Sequence, residues 1–296
     1  MTSGRVTEAS IHTRVLANLQ RSIAKGQKIQ DQLSSGKQLN RPSDSPTGTV
    51  ASLQLRGEVR AAQQYARNAD DGLGWLGSLD NTLTSTSTLI NRARDLTVQG
   101  LSSGSIDSQS REALAVEIDN IKDSMIGYAN TTYLDRPVFG GTTAGDTAYQ
   151  ADGTYVGDKT NLNRKVGPDT SIPVTAAGPT VFGTGDTQVF AVLQKISDAI
   201  RTGDTDGLTN RLDDLDGAAS LVKKTLSEVG ARYNRITQMK QSAQDRILSV
   251  TSQLSDVEDV DLPKAIMEMQ LQQTSYQAAL AASAKVIQPS LIDFLR

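Results

Sequence analysis

Residues 208–257 read LTNRLDDLDGAASLVKKTLSEVGARYNRITQMKQSAQDRILSVTSQLSDV and carry the longest regular pattern in the chain. Positions spaced alternately four and three residues apart form a seam in which only Lys240 is polar. The seam consists of Leu208, Leu212, Leu215, Ala219, Val222, Leu226, Val229, Tyr233, Ile236, Lys240, Ala243, Ile247, Val250, Leu254 and Val257. A repeat of about 3.5 residues stays on one helix face only if the helix supercoils against a partner. The stretch therefore predicts a coiled-coil helix, which is more typical of assembly than of catalysis.

Further helices are predicted on both sides of this seam. One runs through residues 15–33 and is ended by Gly36, a second runs from Ser45 or Thr47 to about Gln99, and a third follows Asp107. Residues 189–200 return to helix. The last helix begins near Pro263. Its apolar stripe is Leu262, Ile266, Met269, Gln273, Tyr276, Leu280, Ser283 and Ile287.

The segment 131–188 has a different composition from the rest of the chain. Its 58 residues include 9 Gly, 12 Thr and 4 of the 8 Pro. The short runs TYV, SIPVT and PTVFG read as strands between turns. We expect a small β insertion with too few apolar residues for a deep core, and hence the less stable part of the protein.

These elements predict a mainly α protein with a small β insertion. Because each helical stripe must be buried, we expect an elongated antiparallel helical, coiled-coil rod with the N- and C-termini together and a β-rich domain at the tip. The predicted domains are an N-terminal coiled-coil assembly segment (1–40), two parts of a helical rod (41–130 and 189–255), the tip (131–188) and a C-terminal coiled-coil assembly segment (256–296).

Composition excludes several classes of function. The 30 basic and 33 acidic residues give a net charge of −3, so neither nucleic acid nor an anionic membrane is expected as a partner. The absence of Cys excludes disulfides and thiolate chemistry. No apolar stretch has the length of a transmembrane helix or the pattern of a cleaved signal, which predicts a cytoplasmic protein or export by a route without a cleaved signal.

Candidate catalytic and binding residues have simpler interpretations. His12 is the only histidine and lies on an amphipathic helix, where exposure to solvent is the ordinary role. Gly72, Gly74 and Gly77 spell G-x-G-x-x-G inside a helical stripe, which favours close packing over phosphate binding. Trp75 then reads as a packing anchor. The acids at 204–206 and 258–261 favour helix starts over a calcium loop or a glycosidase pair.

Several short strings, taken in order, resemble the bacterial flagellin family. They are LSSGKQLNRPSDSPTG at 33–48, YARNADDGL at 65–73, LDNTL at 79–83, RARDLTVQ at 92–99, YANTTYLDRPVFGGT at 128–142, GTYVGD at 153–158 and SLIDFLR at 290–296. Within that family, the Pro42 and Pro46 pattern and the string at 128–142 are more similar to the hook-associated protein 3 group, which forms the hook–filament junction, than to filament flagellin.

The resemblance implies an extracellular, noncatalytic structural subunit of the bacterial flagellum without cofactors. Its implied partners are further copies of itself in a ring, hook-associated protein 1, flagellin, the flagellar type III export apparatus and an export chaperone. Apolar stripes and the resemblance together predict an assembly interface at Val15, Leu19, Ile23, Leu33, Arg41, Pro42, Asp44, Pro46, Ile266, Met269, Tyr276, Leu280, Ile287, Leu291, Phe294 and Leu295. We expect a free subunit to be monomeric with mobile ends.

Three other classes stay open at this point. A filament flagellin polymerises into long fibres by itself, whereas a junction subunit does not. A signalling coiled coil remains inside the cell. An enzyme needs a convergent polar pocket, for which the sequence offers no candidate residues.

Overall fold

The structure, a computed structural model, describes residues 8–102, 107–143 and 145–287. The helices and strands in these ranges are α1 (Glu8–Ser35), α2 (Pro46–Ser102), α3 (Ser108–Ala129), β1 (Thr132–Tyr133), β2 (Arg136–Pro137), β3 (Asn163–Lys165), β4 (Ser171–Pro173), α4 (Gly178–Phe182), α5 (Val189–Thr202), α6 (Thr205–Glu258) and α7 (Leu262–Ile287). The chain divides into two compact units: a terminal unit of residues 1–60 with 247–296, and a central unit of residues 61–246.

The helix boundaries follow the signals read from the sequence. Helix α1 ends one residue before Gly36, whose φ of +69° suits a residue without a Cβ. Asp107 caps α3 by accepting a hydrogen bond from the Ser110 backbone N–H at 3.2 Å. Gly203, with a φ of +75°, ends α5 in the left-handed conformation. The predicted helix at each of these places is confirmed.

Helix α6 buries every second position of the predicted seam from Leu208 to Val250, that is, one residue in seven along the chain. The buried positions are Leu208, Leu215, Val222, Val229, Ile236, Ala243 and Val250. The alternate seam positions are half-buried or exposed, and Tyr233 is 42% exposed. One of the two seam positions in each heptad is therefore used inside the chain, and burial of the other against a partner helix stays a prediction.

In the central unit, helices α3 and α5 pack against each other through an apolar face closed at its edge by ion pairs. Ile118 and Met125 of α3 and Leu193 and Ile196 of α5 are fully buried. Arg201 of α5 pairs with Asp119 of α3 at 2.6 Å and with Glu112 at 3.2 Å. Arg201 thus joins the two helices beside their apolar contact.

The segment 131–188 differs from its prediction in two respects. SIPVT does contain a strand, β4, which pairs antiparallel with β3, but PTVFG lies largely in helix α4 and TYV contributes only an isolated bridge between Tyr155 and Tyr149. The expectation of a shallow core is also wrong. Phe139, Tyr149 and Phe182 are at most 1% exposed and form edge-on ring contacts, with Phe190 of α5 completing the cluster. Few apolar residues suffice because three of the buried ones, Phe139, Tyr149 and Phe182, are aromatic rings that each bury a large area.

The G-x-G-x-x-G string lies inside helix α2, as the packing interpretation predicted. A Cβ at Gly72 would come within 3.0 Å of Ile236 Cδ1 on α6, so this glycine lets two helices approach closely. Gly74 faces the Tyr133 ring, whereas Gly77 has no heavy atom within 4 Å of a Cβ position. Trp75 is 2% exposed and meets Tyr133 edge-on, which confirms it as a packing anchor.

Candidate assembly surface

In the terminal unit, helices α1 and α7 form an antiparallel pair. Near its middle, the Gln272 side-chain amide donates to the Ser22 carbonyl at 2.8 Å and to the Ser22 hydroxyl at 2.6 Å. At its end, the Val260 backbone N–H donates to the Gly36 carbonyl at 3.0 Å. Residue numbers increase along one helix as they decrease along the other, so the two chain directions are opposed. Gly26 lies beside the Gln272 side chain, where a Cβ would make an ordinary contact at 3.8 Å.

The face that α7 turns toward α1 differs slightly from the predicted stripe. The buried or half-buried positions of α7 are Ala265, Met269, Gln272, Tyr276, Ala279 and Ser283. Met269, Tyr276 and Ser283 belong to the predicted stripe. Ile266 and Leu280 lie beside it and are 48% and 43% exposed. The α1–α7 contact therefore uses only part of the apolar surface that α7 carries.

Helix α7 also exposes apolar side chains on a second face. Met267 is 64% exposed and Leu271, one turn later, is 69% exposed. A helix that is apolar on most of its circumference is normally buried on most of its circumference. Helix α1 packs along α7, but Met267 and Leu271 stay exposed beside that contact, so much of the apolar surface of α7 remains in water.

The predicted assembly residues of α1 also divide into half-buried and exposed positions. Val15, Leu19 and Leu33 are half-buried, whereas Ile23 is 45% exposed. The structure brings Ile23 to a shallow groove between the two helices, where Met269 and Tyr276 form the opposite wall. Ile287 lies at the end of α7 and its side chain is outside the described residues, as are Leu291, Phe294 and Leu295.

The loop between α1 and α2 is folded around Asp44. Its carboxylate accepts hydrogen bonds from the backbone N–H groups of Arg41 at 2.9 Å and Asn40 at 3.2 Å. It also pairs with Lys28 of α1 at 3.1 Å, and this contact together with the backbone bonds lowers the pKa of Asp44. The predicted residues Arg41, Pro42 and Pro46 are exposed around this ordered turn. The Asp44 carboxylate already has its hydrogen-bond and ion-pair partners within the chain.

A buried carboxylate, Glu258, fixes the end of α6 to the start of α2. Glu258 is 3% exposed and accepts hydrogen bonds from Arg56 at 2.6 and 2.8 Å and from Ser52 at 2.5 Å. Lys37 lies 3.4 Å away. The Arg56 guanidinium and the other donors outweigh burial and lower the pKa of Glu258 to about 2. This carboxylate therefore stays charged at neutral pH.

Backbone hydrogen bonds reinforce the same place. The Gln38 backbone N–H donates to the Glu258 carbonyl at 2.7 Å, and the Gln38 side chain donates to the Val257 carbonyl at 2.7 Å. Lys37 pairs with Asp259 at 2.6 Å, and this contact raises the pKa of Lys37. We call Lys37, Ser52, Arg56, Glu258 and Asp259 the hinge clamp. It ties the loop after α1 to the connection between α6 and α7.

Sequence reasoning missed the hinge clamp. It assigned Glu258 to a helix start, but Glu258 is the last residue of α6. The helix-start role belongs to Asp261, whose carboxylate accepts from the Lys264 backbone N–H at 3.1 Å. The one signal in the sequence was that Glu258 directly follows Val257, the last seam position, and so lies next to an apolar surface.

The described residues contain no group of three or more His, Asp or Glu side chains placed to hold a metal ion. Among those same residues, no helix is both long and apolar enough to cross a bilayer. Charged groups of the terminal unit instead form pairs that fix loops and helix ends, at the half-buried Asp44 and the buried Glu258. Such an arrangement holds a shape and leaves apolar helix faces available for contact.

Comparison with known families matches both helical ends of the chain. Residues 7–140 match the bacterial flagellin N-terminal helical region, and residues 212–295 match the bacterial flagellin C-terminal helical region. The chain belongs to the bacterial flagellin family. The hinge clamp joins the two matched regions, since Lys37, Ser52 and Arg56 lie in the first and Glu258 in the second. Most of the aromatic cluster lies in residues 141–211, which neither flagellin model covers.

Individual flagellin-family relatives match over nearly the whole chain. Flagellin of Bacillus subtilis is 25% identical over 288 residues, covering 92% of this chain and 93% of its own. Flagellar hook-associated protein 3 of Escherichia coli is 24% identical over 307 residues, covering 94% and 95%. Among solved structures, FlgL of Bacillus cereus has a TM-score of 0.60 at 24% identity, covering 68% of this chain and 99% of that one. The last likeness shows the fold.

Proposed function

We propose that this protein is the structural subunit that joins the hook of the bacterial flagellum to its filament. Membership of the flagellin family and the near full-length similarity to hook-associated protein 3 support this role. The observation that carries it is the exposed apolar surface of α7, which an assembling subunit needs and a solitary protein does not. Its work is mechanical, and we assign it no reaction and no cofactor.

Assembly proceeds by burial of the exposed helix faces. Leu271, Met267 and Ile266 are 69%, 64% and 48% exposed. Fully burying a side chain of this size stabilises by about 1.5–3 kcal/mol, so burial of the exposed part of several of them offsets the entropy lost in ordering the partners. We assign assembly to residues 1–40 and 256–296, which contain α1 and α7, with Val15, Leu19, Ile23, Leu33, Ile266, Met269, Tyr276 and Leu280 as its described apolar contacts.

The proposed location defines the partners. A ring of copies would contact hook-associated protein 1 on the hook side and flagellin on the filament side. Delivery outside the cell would use the flagellar type III export apparatus and an export chaperone. The exposed residues Arg41, Pro42 and Pro46, held in place by Asp44, are proposed to contact neighbouring subunits.

The experiment that tests this role is deletion of the gene in the source bacterium. We expect intact hooks without filaments and unpolymerised flagellin in the culture medium, because the filament then lacks its base. Complementation with the intact gene should restore filaments. Normal filaments in the deletion strain would contradict the proposal.

Filament flagellin is the second candidate, favoured by the 25% identity to the Bacillus subtilis protein. The two roles differ in self-association, because a filament subunit adds to its own kind without limit. Purified chain mixed with short filament seeds should therefore fail to elongate them if it is the junction subunit. Growth of long filaments from this chain alone would establish the flagellin role instead.

A further inference from the structure

The hairpin formed by β1 and β2 has an unusual turn. Its two central residues are Leu134 and Asp135, with φ angles of +51° and +58°. No other non-glycine residue in the described part of the chain has a positive φ. Two-residue hairpin turns with positive φ at both positions favour Asn, Asp and Gly, whereas a left-handed conformation is unfavourable for most other residues. A leucine at this turn is therefore conformationally unfavourable.

Burial does not compensate for this conformation, since the Leu134 side chain is 67% exposed. The hairpin that carries it is nevertheless firmly held. Tyr133 packs edge-on against the buried Trp75, with ring centroids 5.1 Å apart, and the Val138 backbone N–H donates to the Thr131 carbonyl at 3.0 Å. A strained residue on a rigid support, with its apolar side chain in water, points to a contact made outside the isolated chain.

A cleft in the terminal unit has the matching chemistry. Its volume is about 200 Å³. Leu39, Pro42 and Leu53 form its apolar part, and the rest of the lining is polar and includes the paired Arg56 and Glu258. Leu53 is 59% exposed at its rim. Arg41 also lines the cleft, and its side chain is 76% exposed, with a contact of 3.9 Å to Asp31 as its one ion pair among the described residues. The cleft thus offers apolar surface beside a cation that is largely free to pair.

We propose that Leu134 of one copy inserts into this cleft of a second copy, with Asp135 placed beside Arg41 of that second copy. On the hairpin an apolar residue, Leu134, is followed by an acid, Asp135. In the cleft an apolar wall lies next to a cation, Arg41, so the two surfaces are complementary. Because the two contacting patches differ, the contact is head-to-tail, and a head-to-tail contact generates a ring when its rotation closes. The inference rests on the proposed function, which supplies the neighbouring copy.

The substitution Leu134→Asn tests the contact because it changes stability and assembly in opposite directions. Asparagine tolerates positive φ, so the free protein should unfold about 1–4 °C higher. Loss of the leucine should lower the amount of chain in sheared flagella about tenfold. Val156→Asn, at another exposed apolar position that is 43% exposed, should leave incorporation unchanged. A Leu134→Asn chain that incorporates normally, or that is less stable, would overturn the proposal.

Charge reversal provides an independent arm. Asp135→Arg and Arg41→Asp should each lower incorporation about two- to fivefold, and the double variant should recover most of it. Absence of recovery in a double variant that unfolds at the wild-type temperature would count against the pairing.

Cross-linking then identifies the occupant. The natural chain has no Cys, so Leu134→Cys combined with Leu53→Cys introduces the only two thiols. Oxidised flagella should yield adducts of two or more copies of this chain, whereas Leu134→Cys with Leu248→Cys should not. Adducts with a different flagellar protein, or no adducts from incorporated chain, would overturn the docking between copies. Absence of the wild-type chain from flagella would instead refute the proposed function.

Discussion

The Arg56 guanidinium donates two hydrogen bonds to the Glu258 carboxylate, at 2.6 and 2.8 Å, across 202 residues of sequence. This pair closes the terminal unit, because Arg56 lies early in α2 and Glu258 is the last residue of α6. The carboxylate is buried while the Arg56 side chain is 51% exposed. Removing the acid therefore leaves a cation that water can solvate, and removing the base would leave a buried charge.

Glu258→Gln should destabilise the protein by about 1–3 kcal/mol. The amide keeps a hydrogen bond to Ser52 but loses the charge that holds Arg56 and Lys37. Urea denaturation of the free chain measures the effect. Glu268→Gln, at an exposed position of α7, is the matched control and should change stability by less than about 0.5 kcal/mol. Equal midpoints for the two variants would show that the hinge clamp contributes little.

The effect of Glu258 on stability should depend on pH. Its pKa is lowered from 4.5 to about 2 in the folded chain. A depressed folded-state pKa gives stability that is fully present above the unfolded value and is lost as pH falls through the folded value. The difference in unfolding free energy between wild type and Glu258→Gln should therefore be constant above about pH 5 and shrink between about pH 4.5 and 2. A difference that persists at pH 2 would contradict the assignment.

Leu280→Asp should block assembly without unfolding the free chain. Leu280 is 43% exposed, so a carboxylate there remains in water until a partner covers it. Burial of that unpaired charge in an interface is strongly unfavourable. Circular dichroism checks the free chain, and the amount of chain in sheared flagella checks assembly. Gln277→Asp adds the same charge at an exposed polar position of α7 and should incorporate. Normal filaments with Leu280→Asp would remove Leu280 from the interface.

Two glycines of α2 should respond oppositely to alanine. A Cβ at Gly74 would collide with the Tyr133 ring, so Gly74→Ala should destabilise by about 1–3 kcal/mol. Gly77 has nothing within 4 Å of its Cβ position, and Gly77→Ala should stabilise the helix by about 0.5–1 kcal/mol. Thermal unfolding of both variants measures the difference. Stabilisation by both would mean that the Tyr133 ring moves aside, and destabilisation by both would contradict the open space at Gly77.

The sequence predicted what local chemistry determines. Gly36 and Asp107 mark helix ends because their preferences act within a few residues, and the seam of α6 is a property of one helix. PTVFG was misread because a short apolar run between turns fits a buried helix as well as a strand. In the structure it forms α4, whose Phe182 completes the aromatic cluster with residues distant in sequence.

The features that could not be predicted depend on residues that are far apart in the sequence. Nothing near Glu258 in the sequence indicates Arg56, because the pair forms only when α2 and α6 meet. The predicted stripe of α7 contains Ile266 and Leu280, whereas the residues that face α1 are their neighbours Ala265 and Ala279. A helix that is apolar on two faces does not define one contact face by sequence alone. That ambiguity is itself informative, since it reflects a helix with more apolar surface than one neighbour covers.

The central claim is that α1 and α7 gain their full set of contacts only in the assembled flagellum. Hydrogen exchange of the backbone amides, followed in the free chain and in isolated hook–filament junctions, tests it most directly. We expect amides of α1 and α7 to exchange much faster than those of α3 and α5 in the free chain, and to become protected after assembly. Equal and complete protection of all four helices in the free chain would contradict the claim.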